Sequence, residues 1–314
     1  MGILSKAVMG TILLVFSVLP AAASVEGFGP LVSAEELATV QSTINPLILD
    51  IRGDTVEDGR IPNAISARYA DFRGPKENPG QLLTEEALTK LIRRLGIEAT
   101  RPTVIVYQGK NESDFGAAAR VYWTLKSAGV SKLAILNGGM NAWTEGDARP
   151  VIERALLPTP STFSVKFSSA WLATREEVLK IVESDSAVRL IDARPESFYN
   201  GEKAHPAAAR PGTLPQSEYF THSGWFSGGP AIIDSKTAQR LATKSGFKKG
   251  DTLVSFCNTG HWAATNWFAL SELAGIENVK LYPESLVGWS NAGLPMANTP
   301  GLIETLVKKV KKSL

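Results

Sequence analysis

Residues 252–268 read TLVSFCNTGHWAATNWF, an apolar run that ends in a cysteine, a short loop with one glycine, and a helical pattern. The apolar and β-branched residues 252–256 predict a buried strand, and the pattern after the loop predicts a helix from His261 to Ala274. Strand–loop–helix units of this kind build parallel sheets that are covered by helices. Ligands of such sheets bind at the carboxyl ends of the strands, which is where Cys257 stands.

The same landmarks occur a second time, earlier in the chain and in the same order. Residues 47–52 (LILDIR) correspond to residues 189–194 (RLIDAR), and both runs end in Asp-x-Arg. The other matching segments are Arg60–Pro62 with Thr213–Pro215, Thr103–Tyr107 with Thr252–Phe256, and Ala142–Gly146 with Gly288–Gly293. Four matches in one order indicate two homologous domains. We therefore predict an α/β fold in which each domain is a mainly parallel sheet flanked by helices.

Length and charge limit the classes of function. The chain has 314 residues, with 33 Lys and Arg against 31 Asp and Glu, so nothing in the charge balance favours nucleic acid. One cysteine and three histidines exclude an internal disulfide and a Cys/His structural zinc site. We expect no metal, no cofactor and no nucleic-acid partner.

The N-terminus has the parts of a secretory signal peptide. Residues 12–19 (ILLVFSVL) follow Lys6 and precede a proline and three alanines that end at Ala23. The alternative is a membrane anchor, but the apolar run is shorter than the roughly 20 residues that span a bilayer. We predict cleavage after Ala23, no membrane span in the mature protein, and a periplasmic or secreted location.

The chain therefore divides into five predicted parts. Prolines with several serines and threonines indicate the connection between the domains. The lysine-rich C-terminus, residues 308–312, is interpreted as a solvated helix end in preference to a contact with an acidic partner or a membrane surface. The parts are a signal peptide (1–23), domain 1 (31–150), a linker (151–170), domain 2 (171–297) and a basic C-terminal tail (298–314).

Cys257 is the candidate nucleophile. The backbone N–H groups of its loop and the start of the next helix converge on the sulfur, and both favour the thiolate near neutral pH. The alternative is a buried structural thiol, since free cysteines are often buried. A phosphatase loop of the Cys-x5-Arg type needs an arginine at the position of Ala263. The loop therefore favours sulfur transfer, in which the thiolate carries a sulfur atom as a persulfide.

With these features the chain resembles the tandem-domain rhodanese sulfurtransferases, over about residues 31–296. The resemblance implies that Cys257 is catalytic and that the active-site loop consists of Asn258, Thr259, Gly260, His261, Trp262 and Ala263. It implies supporting or substrate-contact roles for Asp192, Arg194 and Arg210. The matching motifs are Cys257 with Gly260 and Ala263, Asp192–Arg194, Arg210–Pro215 and Gly288–Trp289.

The resemblance also implies a reaction and an inactive first domain. The donor would be thiosulfate or 3-mercaptopyruvate, and the acceptor would be cyanide, a thiol or a protein sulfur acceptor. Domain 1 would be non-catalytic, because the sequence offset places Gln108 at the position of Cys257.

Two departures from the family pattern leave other functions open. The loop from Asn258 to Trp262 lacks the basic residues of thiosulfate-type loops and the sequence of mercaptopyruvate-type loops. Phe198 stands six residues after Asp192, where family members tend to have an arginine that contacts the anionic substrate. The alternatives are a non-enzymatic sulfur-carrier or partner-binding protein and a redox-sensing thiol.

Overall fold

Domain 1 is built on a five-stranded parallel sheet. The structure, a computed structural model, describes residues 28–147 and 149–301, so the predicted signal peptide and residues 302–314 of the predicted tail lie outside the described residues. The sheet has the order β1-β5-β4-β2-β3. The central strands β2, β4 and β5 are buried along their whole length, as expected for a sheet covered on both faces. The strands are β1 (Leu31–Val32), β2 (Leu47–Asp50), β3 (Ala64–Ser66), β4 (Thr103–Val106) and β5 (Leu133–Leu136).

Domain 2 repeats this arrangement with a four-stranded parallel sheet of order β7-β6-β8-β9. A parallel bridge from Leu172 to Leu281 stands where β1 pairs with β5 in domain 1. The prediction of two α/β domains with parallel sheets is confirmed. The strands are β6 (Arg189–Asp192), β7 (Glu218–Tyr219), β8 (Thr252–Phe256) and β9 (Asn278–Leu281).

Helices cover the sheets, close to where the sequence predicts them. The capping boxes of Ser33 with Glu36 and of Thr174 with Glu177 are both formed. The helix predicted from His261 to Ala274 is α-helical only over its first part and continues as a π-helical turn, Ala269–Leu273. The helices are α1 (Ala34–Ile44), α2 (Glu85–Arg94), α3 (Glu112–Ser127), α4 (Gly139–Thr144), α5 (Arg175–Val182), α6 (Glu196–Tyr199), α7 (Ser235–Lys244), α8 (Trp262–Phe268) and α9 (Ser285–Asn291).

The two domains share one apolar core. Helix α3 of domain 1 packs against α8 of domain 2, and the ring of Phe115 meets that of Phe268 edge-on at 5.5 Å. Because α8 begins directly after the loop of Cys257, this packing places domain 1 against the candidate site. None of the helices in the described part of the chain is long and apolar enough to cross a membrane.

Candidate active site

Cys257 lies at the carboxyl end of β8 and is held by its backbone. Its N–H donates to Oγ of Ser285 at 3.0 Å, and its carbonyl accepts from the N–H of Leu286 at 3.0 Å. Ser285 has a left-handed φ of +52°, which a side chain adopts at a cost. Its hydroxyl explains why a serine occupies this position, since it accepts from the cysteine amide. The side chain of Cys257 is 1% exposed, so the sulfur lies at the bottom of its site.

The loop after Cys257 is a cradle of unused amide donors. No acceptor among residues 28–147 and 149–301 takes the N–H groups of Asn258, Thr259, Gly260 or His261. Gly260 has φ +68°, and a Cβ there would lie 2.5 Å from the carbonyl oxygen of Pro283. The loop therefore needs glycine at this turn. Free amides at the end of a strand form an anion-binding site of the kind that stabilises a thiolate or a persulfide.

Asp192 and Arg194 form a buried pair that holds this loop at Asn258. The guanidinium donates from Nε at 2.9 Å and from Nη2 at 2.6 Å to the two carboxylate oxygens of Asp192, and both side chains are buried. The third nitrogen, Nη1, donates to Oδ1 of Asn258 at 3.2 Å. Thr213 adds a hydroxyl bond to Asp192 at 2.7 Å. This network fixes the residue after Cys257, which is a positioning role.

His261 connects the loop to domain 1. Its Nε2 donates to the carbonyl oxygen of Ser113 at 2.7 Å, because a carbonyl can only accept. Its Nδ1 therefore accepts from the hydroxyl of Tyr69, at 2.8 Å. Burial, and next the charge of Arg73, lower the pKa of His261 to about 3. The imidazole is neutral at pH 7 with both nitrogens engaged, so it holds the loop and the domains together.

Trp262 forms an aromatic wall beside the loop. Its ring stacks on that of His222, with centroids 4.8 Å apart and planes 8° apart, and meets Phe198 edge-on at 6.0 Å. Its Nε1 donates to Oγ of Ser113 at 2.8 Å. Phe198 thus fills the place of the expected arginine with an apolar ring, and the guanidinium of Arg194 lies 5.8 Å from that ring.

The remaining predicted residues have structural contacts. The carbonyl of Ala263 accepts from Oγ of Ser255 at 3.0 Å, which ties α8 to β8. Arg210 is exposed and donates to the carbonyl of Leu294 at 2.6 Å. A role of Arg210 in substrate contact stays a prediction.

Sequence reasoning missed two arginines that approach the loop from domain 1. Nη2 of Arg73 donates to the carbonyl of Thr259 at 2.8 Å. Nη1 of Arg120 approaches the carbonyls of Thr259 and Gly260 at 3.3 Å and 3.4 Å. Arg120 lies in the apolar run of α3 and is completely buried. The sequence signal for Arg120 is an arginine within an otherwise apolar stretch of helix, because an arginine is rarely fully buried unless it has a partner.

The counterpart of Cys257 in domain 1 is Tyr107, and the prediction of Gln108 at that position is wrong. Asp50 is paired with Val106 in β4 as Asp192 is paired with Phe256 in β8, so the next residues along are Tyr107 and Cys257. Gln108 corresponds to Asn258, because Arg52 donates to its Oε1 at 3.1 Å as Arg194 donates to Asn258. The sequence comparison matched Thr103 with Thr252, but Thr103 occupies the strand position of Leu253. The residue assigned to the position after the strand was therefore displaced by one.

In domain 1 a carboxylate occupies two amides of the loop that corresponds to the Cys257 loop. The N–H groups of Gly109 and Lys110 donate to Oδ2 of Asp114 at 2.8 Å and 3.0 Å. A cavity of about 740 Å³ lies over this loop, and Tyr107, Gln108 and Asp114 line it. With a tyrosine in place of the thiol and a carboxylate on the amides, domain 1 has neither a sulfur nucleophile nor free amides at these two positions.

Comparison with known proteins agrees with this architecture. The rhodanese-like domain family matches residues 33–146 and 174–292. The sulfur carrier protein TtuD of Thermus thermophilus is 28% identical over 80% of this chain and 90% of its own. A putative thiosulfate sulfurtransferase of Haloferax volcanii is 26% identical over 79% of this chain and 86% of its own. Among solved structures, the 3-mercaptopyruvate sulfurtransferase SseA of Escherichia coli has the same fold, with a TM-score of 0.69 at 21% identity over 82% of this chain and 98% of its own.

Two matches to one family, a doubled parallel α/β unit and a cysteine at the end of the second domain's central strand lead to one assignment: the chain belongs to the rhodanese family, as a tandem-domain, rhodanese-type sulfurtransferase.

Proposed function

We propose that Cys257 takes a sulfane sulfur from a small donor, thiosulfate or 3-mercaptopyruvate, and passes it to cyanide or a thiol acceptor. The observation that carries the proposal is the position of Cys257 at the strand end, beside four loop amides from Asn258 to His261 that have no acceptor among the described residues. Such a cradle stabilises the anionic sulfur both before and after the transfer.

The reaction has two half-steps. The Cys257 thiolate attacks the outer sulfur of thiosulfate, a new S–S bond forms, and the old S–S bond breaks with its electron pair leaving on sulfite. With 3-mercaptopyruvate the C–S bond breaks instead, and its electron pair leaves on the enolate of pyruvate, which takes up a proton. The terminal sulfur of the persulfide then bonds to the acceptor, cyanide or a thiolate, and Cys257 returns as the thiolate. This is a ping-pong scheme with a covalent intermediate.

The test is the intact mass of the purified protein before and after incubation with each donor. We expect a gain of one sulfur atom that a cyanide chase removes and that Cys257→Ser does not show. Because the bonds of Cys257 to the described residues come from its backbone, the serine variant should keep its thermal midpoint. A sulfur gain in Cys257→Ser, or no gain in the wild type with either donor, would overturn the scheme.

A second candidate is a sulfur carrier that releases its sulfur only to a protein partner. The similarity to the carrier TtuD favours it, and so does the aromatic wall of Phe198 and Trp262 at the loop. Steady-state turnover separates the two functions. An enzyme converts many equivalents of donor with cyanide or a small thiol, whereas a carrier loads one sulfur and stops.

We further propose that the protein is exported and works in the periplasm or outside the cell, after cleavage behind Ala23. The pattern of a basic residue, a short apolar run and a small-residue site supports the proposal. The test is the N-terminus of the protein from a cell fraction of the native host. A protein that begins at Ser24 in the exported fraction supports export, and an uncleaved cytoplasmic protein refutes it.

A further inference from the structure

Arg73 and Arg120 lie against the loop of Cys257 without a counter-ion. Neither forms a salt bridge with any residue that the structure describes. Burial, and next the charge of Arg73, lower the pKa of Arg120 to about 9, so it remains a cation at neutral pH. Two neighbouring cations, one of them fully buried, are unfavourable unless an anion joins them.

Both guanidiniums also have unused donors. Nη1 of Arg73 and Nε of Arg120 are buried and have no hydrogen-bond partner among the described residues. Both arginines bond to the carbonyl of Thr259, so both guanidiniums contact the loop at the same residue. Buried donors without acceptors are costly, and several in one place indicate a ligand that brings oxygen acceptors.

We propose that Arg73, backed by Arg120, is the subsite that binds the anionic end of the sulfur donor and then the oxyanion that leaves. The ligand class is a small sulfonate or carboxylate, and the inference rests on the proposed function. The subsite takes the place of the arginine that is expected at position 198, where this chain has a phenylalanine packed on Trp262. The cation comes from domain 1, which thereby contributes to a reaction whose nucleophile lies in domain 2.

Charge explains why such a subsite is needed. A thiolate with one negative charge attacks thiosulfate with two, and the persulfide and sulfite that result carry the same total. Like charges at contact distance in a buried cleft repel strongly, so cations that are already in place lower the energy of the approach and of the departing oxyanion. Arg73 also faces Tyr69, His205 and His261, and no carboxylate in the described part of the chain pairs with it.

The first experiment measures binding without turnover. Thiosulfate and sulfite are titrated calorimetrically into Cys257→Ala and into Cys257→Ala combined with Arg73→Gln. We expect the added substitution to weaken binding roughly tenfold to a hundredfold, as for the loss of a charge-assisted bond. Equal affinity in the two proteins would overturn the subsite.

The second experiment measures kinetics in the Cys257 background. Arg73→Gln should raise KM for thiosulfate by a similar factor and change kcat less, and Arg73→Lys should recover part of the loss because it keeps the charge. Arg68→Gln is the matched control, since Arg68 lies in the same segment, is exposed and pairs with Asp71. A loss confined to kcat, or an equal loss in the Arg68 variant, would show a structural role and refute the proposal.

The two proposals fail in different ways. If the wild type loads no sulfur but the calorimetric difference appears, the anion subsite stands and the transfer scheme falls. If the wild type loads sulfur and Arg73→Gln loads it with unchanged KM, the scheme stands and the subsite falls.

Discussion

Acidification should loosen the connection between the loop and domain 1 at His261. Its pKa is about 3 in the folded protein because of burial and the charge of Arg73, against an ordinary value of 6.5. At a pH between these two values His261 is therefore protonated in the unfolded chain and neutral in the folded chain. The stability that neutral His261 contributes is complete above pH 6.5 and falls as the pH drops. At about pH 5 the loss is about 2 kcal/mol, from about 1.5 pH units at 1.36 kcal/mol each.

The assay compares denaturant unfolding of the wild type and His261→Gln, followed by tryptophan fluorescence, at about pH 7.5 and about pH 5. Glutamine does not titrate, so this variant should lose about 2 kcal/mol less than the wild type over the interval. His205 and His222, whose pKa values are also lowered by burial, titrate in both proteins and so are common to the two measurements. An equal loss in both proteins would refute the assignment of a neutral, buried imidazole at this contact.

Two further substitutions test the loop itself, each with a matched control variant. Gly260→Ala should cost about 1–2 kcal/mol of stability for a left-handed φ of +68° and abolish sulfur loading, because its Cβ would lie 2.5 Å from a carbonyl oxygen. Gly275 has a similar φ of +73°, and no atom lies near the place where its Cβ would stand, so Gly275→Ala should lower stability without lowering sulfur loading. Equal loading defects in the two variants would contradict the argument. Asn258→Ala removes the bond to Arg194 and should slow loading in single-turnover mass spectrometry by roughly tenfold. Gln108→Ala removes the matching bond in domain 1 and should leave loading unchanged; the reverse pattern would refute the roles of the two domains.

The parts of the fold that depend on local pattern could be predicted from the sequence. Buried strands such as 252–256 are short runs of mainly apolar and β-branched residues, and the helix starts at Ser33 and Thr174 have a capping signature that acts within four residues. The position of Cys257 follows from the same logic, since a residue directly after a parallel strand lies at the edge where ligands bind.

Register and contacts across the domains could not be predicted in this way. The sequence comparison aligned Thr103 with Thr252, but hydrogen bonding pairs Thr103 with Leu47 and Leu253 with Arg189, one position further along. Threonine suits either position of a strand, so the residue type does not fix the register. Arg73 lies more than a hundred residues before the loop it contacts, and contacts between the domains, such as the packing of α3 on α8, bring it there.

The two halves share one scaffold but differ in what occupies their loop amides. Both keep the Asp–Arg pair and an amide side chain that the arginine holds, at Gln108 and Asn258. Asp114 is the third residue of α3 and satisfies the loop amides of domain 1, whereas the third residue of α8 is Ala264. An alanine cannot accept these bonds, so the amides of domain 2 remain available to an anion. The absence of a carboxylate at this position therefore suits an anionic sulfur at Cys257, because a thiolate needs donors that no protein group already occupies.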